Sequence, residues 1–213
     1  LDYKKIVGGE ILNIATSGRV PYKIEQEAAP DRLVIDLPGI VAGPWLDVPA
    51  TDSLLNKAVQ VKESPSGTTV VVEQSRVTKF RLTATSAGLE VYFEPQIIDL
   101  AYEAVPGGGR VKIQASGDLN YKTFKLESPE RLVVDFQDTI LAAEDVTLDI
   151  NDETTVQVRA SQFGVEPDLT RLVLELNSYL SHKIEPGQKP GELIVEVNAS
   201  PIQGRYIAID AGH

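Results

Sequence analysis

The sequence predicts an all-β protein made of two tandem antiparallel β-sandwich domains, and three observations predict it. The chain repeats itself at an interval of 99 residues, apolar and polar residues alternate at period two, and Gly, Pro and Asp punctuate the alternating runs. Helical periodicity is scarce, and 213 residues suit two domains of about 100 residues each.

The repeat sets the boundaries. Residues 1–36 and 100–135 share 14 identical pairs without a gap: Leu1/Leu100, Tyr3/Tyr102, Gly8/Gly107, Gly9/Gly108, Ile14/Ile113, Ser17/Ser116, Gly18/Gly117, Tyr22/Tyr121, Lys23/Lys122, Pro30/Pro129, Arg32/Arg131, Leu33/Leu132, Val34/Val133 and Asp36/Asp135. Average residue usage would give about two or three by chance. Further on, Val70-Val71-Val72-Glu73 meets Leu172-Val173-Leu174-Glu175 at an interval of 102, the drift expected when loops lengthen between strands. The expected domains are residues 1–99 and 100–203, with 204–213 as a separate segment.

In the first domain Leu12, Ile14 and Thr16 share one strand face, and Ile11, Asn13 and Ala15 the other. Leu33, Ile35 and Leu37 then oppose Arg32, Val34 and Asp36, and strands are predicted over 58–62, 68–73, 79–83 and 89–93. The second domain predicts strands over 110–115, 131–136, 155–160, 171–176, 181–185 and 193–197. Short strands at near-regular spacing between turn residues indicate a sandwich. Asp52 or Ser53 is placed to cap a short helical turn over 52–57.

Composition restricts the function classes. No apolar run approaches the ~20 residues of a spanning helix, so no membrane span is expected. The absence of cysteine removes disulfides, thiol catalysis and cysteine-ligated zinc. A net charge of −11 opposes attraction to nucleic-acid phosphates or anionic lipid, so nucleic acid is excluded as a partner. Residues 1–7 lack the apolar core of a secretion signal; because such a signal is removed from an exported protein, this does not assign a cytoplasmic location.

The candidate binding residues follow from the strand faces. Arg32 and Asp36 lie on one face, four residues and about 13 Å apart, too far to pair with each other. Each must pair across strands or face a ligand, and Arg131 and Asp135 repeat the arrangement. The polar face is therefore either a solvated sheet laced by cross-strand ion pairs or a repeated surface that grips a polymer. Lys79 and Arg81 share a face opposite Phe80 and Leu82, a basic concentration that is either solvated or a patch for an acidic ligand. Tyr22 and Tyr121, like Tyr92 and Trp45, are candidates for sugar stacking or for the core. His182, between Ser181 and Lys183, reads as a surface residue.

Two segments carry a family resemblance. The repeated Tyr-Lys followed by Pro-(Asp/Glu)-Arg-Leu-Val-(Ile/Val)-Asp, at 22–36 and 121–135, resembles the AMIN domain, a β-sandwich module found before peptidoglycan amidase domains and in outer-membrane secretins. The end of the chain, Gly204-Arg205-Tyr206-Ile207-Ala208-Ile209-Asp210-Ala211-Gly212-His213, resembles the opening strand of the zinc-dependent N-acetylmuramoyl-L-alanine amidase domain. On that likeness His213 is the first zinc ligand of a site that a downstream Glu and His complete. The resemblance implies a peptidoglycan-targeting region, extracytoplasmic in periplasm or cell wall, of an amidase cleaving between muramic acid and the stem peptide. Zinc is expected in the complete enzyme but not in this chain, which is expected to bind wall without catalysing.

Three roles are then open. The domains hold the amidase on peptidoglycan, two weak contacts on one chain raising apparent affinity. Alternatively they form a scaffold that docks on envelope or division proteins through a sheet edge. As a third role they act as an autoinhibitory module, since residues 198–205 leave a short connection to whatever follows.

Overall fold

The computed structural model describes residues 1–44, 46–142 and 144–199. The chain forms two compact units: Leu1–Gln96 with Ser116–Asp118, and Ile97–Ala115 with the described residues from Leu119 onward. Among the described residues the architecture is all-β, with four antiparallel-rich sheets and no helix.

The first unit contains β1 (Asp2–Ile6), β2 (Gly9–Ala15), β3 (Lys23–Glu27), β4 (Arg32–Pro38), β5 (Asn56–Ser64), β6 (Gly67–Gln74), β7 (Phe80–Thr85) and β8 (Gly88–Phe93). One sheet has the order β1-β2-β8-β7 and the other β3-β4-β6-β5. Their inner faces meet in one core: Leu12, Ile14, Val91 and Phe93 from the first sheet, Leu33, Ile35, Val70 and Val72 from the second. Each such side chain contributes about 1.5–3 kcal/mol by leaving water, which is why the period-two pattern fixes strand orientation.

The second unit contains β9 (Gln96–Val105), β10 (Gly108–Ala115), β11 (Asn120–Leu126), β12 (Arg131–Gln137), β13 (Ile140–Leu141), β14 (Val146–Asp149), β15 (Thr155–Val165), β16 (Asp168–Leu176), β17 (Ser181–Pro186) and β18 (Glu192–Asn198). Its sheets run β13-β9-β10-β18-β17 and β11-β12-β16-β15-β14. Apart from the added β13 and β14, these orders repeat those of the first unit. Val111, Ile113, Val195 and Val197 pack against Leu132, Val134, Phe136, Leu172 and Leu174.

The repeated glycine pairs have a geometric cause. Ile6 pairs with Gly9 and Val105 with Gly108, so each hairpin closes through two residues, Val7-Gly8 and Pro106-Gly107. Gly8 and Gly107 take φ of 87° and 75°, the positive values that the second central residue of a type II turn requires. The next glycine lies close to a neighbouring strand: a Cβ on Gly108 would stand 2.1 Å from the Val197 carbonyl oxygen. Gly108→Ala is therefore expected to cost about 1–3 kcal/mol, read as a lower urea midpoint at unchanged slope.

Two local expectations are revised. No helical turn forms over 52–57; β5 begins at Asn56, and the Ser53 hydroxyl instead accepts the Leu55 and Asn56 amides in an irregular loop. Strands β1, β3, β9, β11, β13 and β14 are additions to the expected set, and three of them, β1, β3 and β11, are edge strands with little burial. The residues of β1, β3 and β11 are largely exposed on both faces, which erases the alternation that marks a half-buried strand.

Candidate binding faces

Each unit presents an Arg-x-x-x-Asp strand on the outer side of its second sheet. On β4 the side chains of Leu33, Ile35 and Leu37 are buried while Arg32, Val34 and Asp36 are only partly covered. Arg32 pairs with Glu27 on β3, its Nε lying 2.7 Å from the carboxylate. Asp36 accepts the Thr69 hydroxyl of β6 at 2.6 Å, and with Lys23 and Thr69 it lines an open hollow of about 300 Å³.

On β12, Asp135 receives Arg171 of β16 through two parallel bonds of 2.7 and 2.8 Å. That bidentate contact raises the Arg171 pKa above its ordinary value. Arg131 donates only to the Pro129 carbonyl oxygen at 3.3 Å and meets no carboxylate among the described residues. Three of the four repeated side chains are thus satisfied by neighbouring strands, and Arg131 is left for solvent or a ligand.

The other candidates divide. Lys79 and Arg81 converge on the buried carboxylate of Glu94, at 3.8 and 3.4 Å, and the Arg81 guanidinium lies 4.5 Å from the Tyr92 ring centre. Tyr22 is exposed, whereas Tyr121 packs edge-on against Phe136 at the margin of the second core. His182 shares a 2.7 Å hydrogen bond with the Tyr179 hydroxyl. His213, the whole segment 204–213, and Trp45 lie outside the described residues.

The outer face of β11-β12-β16-β15 holds residues that strand reading alone passes over. Phe124, Val133, Val173 and Arg159 form one row across it, read from the strand register. Lys122, Asp135, Arg171 and Ser161 form the next. The Arg171 guanidinium lies over the Phe163 ring at 3.6 Å and over Phe124 at 5.5 Å, so Asp135 and two rings hold it in place. Phe163 remains 59% exposed, projecting where β15 bulges between Gln162 and Gly164. These positions differ from their repeat partners: Glu25 stands where the second copy has Phe124.

Residues 99–197 match the AMIN domain. An AMIN domain thus covers most of the second unit, including β10 to β17 and the Arg131 to Asp135 strand. AMIN domains are in general peptidoglycan-binding, amidase-associated modules. No curated protein matches the chain. No helix among the described residues is long and apolar enough to cross a membrane. Among the described residues no three His, Cys, Asp or Glu side chains cluster.

Proposed function

We propose that this chain is a peptidoglycan-targeting region, in which the AMIN domain at 99–197 and an AMIN-like first unit hold their parent protein on the cell wall. The observation that carries the reading is the AMIN match itself. Support for including the first unit comes from the 14 identities at an interval of 99 and from the shared strand order. An extracytoplasmic location follows from the ligand, since peptidoglycan lies outside the cytoplasmic membrane.

The finer reading assigns the chain to a zinc-dependent N-acetylmuramoyl-L-alanine amidase. The apolar run Tyr206 to Ile209 followed by Asp210-Ala211-Gly212-His213 supports it, as does the usual association of AMIN domains with amidases. In that enzyme His213 would be one zinc ligand, and the metal would activate a water for amide hydrolysis. The described residues supply wall attachment, and no catalytic step is assigned to them.

The 213-residue chain is expected to co-sediment with purified sacculi, with bound protein saturating as concentration rises. Failure to sediment would remove the peptidoglycan reading. Capture of an envelope or division protein by the same chain, without wall binding, would favour the scaffold role instead.

A further inference from the structure

The geometry points to the second unit, and to the outer face of its β11-β12-β16-β15 sheet, as the site that takes an anionic glycopeptide. Sugar rings would lie on Phe163 and Phe124, and stem-peptide carboxylates would meet Arg131, Arg159 and Lys122. This inference rests on the peptidoglycan reading and assigns it to one face.

The equivalent faces of the two units allow a direct comparison. Across β3-β4-β6-β5 the outward side chains supply three cations, Lys23, Arg32 and Lys62, against four carboxylates, Glu25, Glu27, Asp36 and Glu73. Across the matching sheet of the second unit, β14 included, the balance reverses, with the four cations Lys122, Arg131, Arg159 and Arg171 against the three carboxylates Asp135, Asp149 and Glu175. A polymer bearing free carboxylates is attracted more strongly by the second arrangement than by the first, even within a chain of net charge −11, because exposed charges beyond about 8–10 Å are screened.

The cations of the second face differ in availability. Arg171 is committed to Asp135, but Lys122, Arg131 and Arg159 meet no carboxylate within ion-pair distance among the described residues. Arg159 is exposed at the far end of the row in which Phe124 is 38% exposed beside the buried Val133, and Lys122 is exposed in the next row. An exposed ring presents a flat apolar surface with a negative face, suited to the C–H face of a pyranose and to acetamido methyl groups. The Asp135 to Arg171 clamp fixes the guanidinium against both rings. In the first unit these positions carry Glu25 for Phe124, Gln60 for Arg159 and Thr69 for Arg171, so neither ring surface nor clamp is built there.

The outer face of the second unit's other sheet is closed to such a ligand. Its cations are consumed internally, Lys112 by Glu103 at 2.6 Å, Arg110 by Glu196 at 2.7 Å and Lys183 by Glu185 at 2.5 Å.

The test is equilibrium binding of the full 213-residue chain to purified sacculi and to soluble disaccharide–peptides whose stem carboxylates are free or amidated. Phe163→Ala and Arg159→Gln are each expected to weaken binding on the order of tenfold. Amidation of the ligand or added salt should weaken the unaltered chain as well. Glu25→Ala and Gln60→Ala, at the matching positions of the first unit, should change affinity less than about twofold. Both altered faces are exposed, and unchanged circular dichroism and melting would show that all four variants fold. If the unaltered chain binds and Phe163→Ala and Arg159→Gln bind equally well, the assigned face is wrong while the peptidoglycan reading stands. Equal losses from changes in both units would overturn the asymmetry. An unaltered chain that ignores sacculi would remove the underlying reading and this assignment with it.

Discussion

Phe136→Ala is expected to remove about 3–5 kcal/mol of folding stability. The ring has no solvent exposure and packs among Leu132, Val134, Leu172, Leu174 and Val197, where the inner faces of both sheets of the second unit meet. Truncation loses the transfer free energy of the ring and leaves a cavity that rigid strands on either side fill only partly. It also removes the edge contact with Tyr121, whose ring centre lies 6.2 Å away at 66°. The repeat supplies an internal comparison, because Leu37 occupies the matching place in the first core and is 3% exposed. Phe136→Leu should therefore cost less, about 1–2 kcal/mol. Urea unfolding measures both, and a Phe136→Ala midpoint close to that of the unaltered chain would contradict the packing described.

That comparison shows what the sequence made legible. Core strands announce themselves because their alternation is enforced by burial on one side: Leu33, Ile35 and Leu37 repeat as Leu132, Val134 and Phe136, and all six are buried. Edge strand β11 carries Lys122, Phe124 and Leu126 with little burial on either face, so periodicity could not reveal it or mark Phe124 as part of a surface. The partners of Arg32, Asp36 and Asp135 were legible only as a requirement for cross-strand pairing, since register depends on loop lengths that the repeat does not preserve. Arg171 and Phe163 meet through a bulge in β15, an irregularity invisible to a period-two reading. The signal that could have found this surface is the departure between copies, where Glu25 becomes Phe124 and Gln60 becomes Arg159 within otherwise matching strands.

The same logic of swapped partners governs the second large effect, in the first unit. Tyr3 and Tyr102 are identical repeat positions, yet each donates its hydroxyl to a carboxylate from a different place. Tyr102 reaches Asp152 at 2.6 Å, in the loop before β15, whereas Tyr3 reaches Glu10 on β2, where the second copy has Gly109. Glu10 is 1% exposed, and its Oε2 also accepts from Ser53 at 2.7 Å and Asn56 at 3.0 Å. Glu10→Ala strips three donors of their acceptor, Asn56 fully buried and Tyr3 and Ser53 partly so, and is expected to cost about 2–4 kcal/mol. Glu10→Gln retains an acceptor oxygen of the same shape, and because Oε1 has no partner the amide nitrogen can occupy that side. Its cost should be under about 1 kcal/mol.

An alkaline titration separates the carboxylate's charge from its packing. The Tyr3 pKa is raised above its ordinary 10.0, first by burial, then by the Glu10 charge and by the hydrogen bond to it. Tyr102 is pushed up to about 12, by burial and then by its bond to Asp152. In both cases the unfolded chain loses its phenol proton before the folded chain does. Their stabilisation is therefore whole below pH 10 and falls as pH rises through the folded values. Removing Glu10 takes away the second and third causes at Tyr3 but leaves burial, so the Tyr3 pKa should drop part of the way toward 10. The difference is read above about pH 11, where the folded unaltered chain still keeps the Tyr3 proton: the phenolate absorbance of folded Glu10→Ala should rise at lower pH, and its loss of stability should level off sooner. Identical phenolate titrations of the two folded proteins would mean that burial alone holds the Tyr3 proton, and that the Glu10 bond contributes packing without electrostatic coupling.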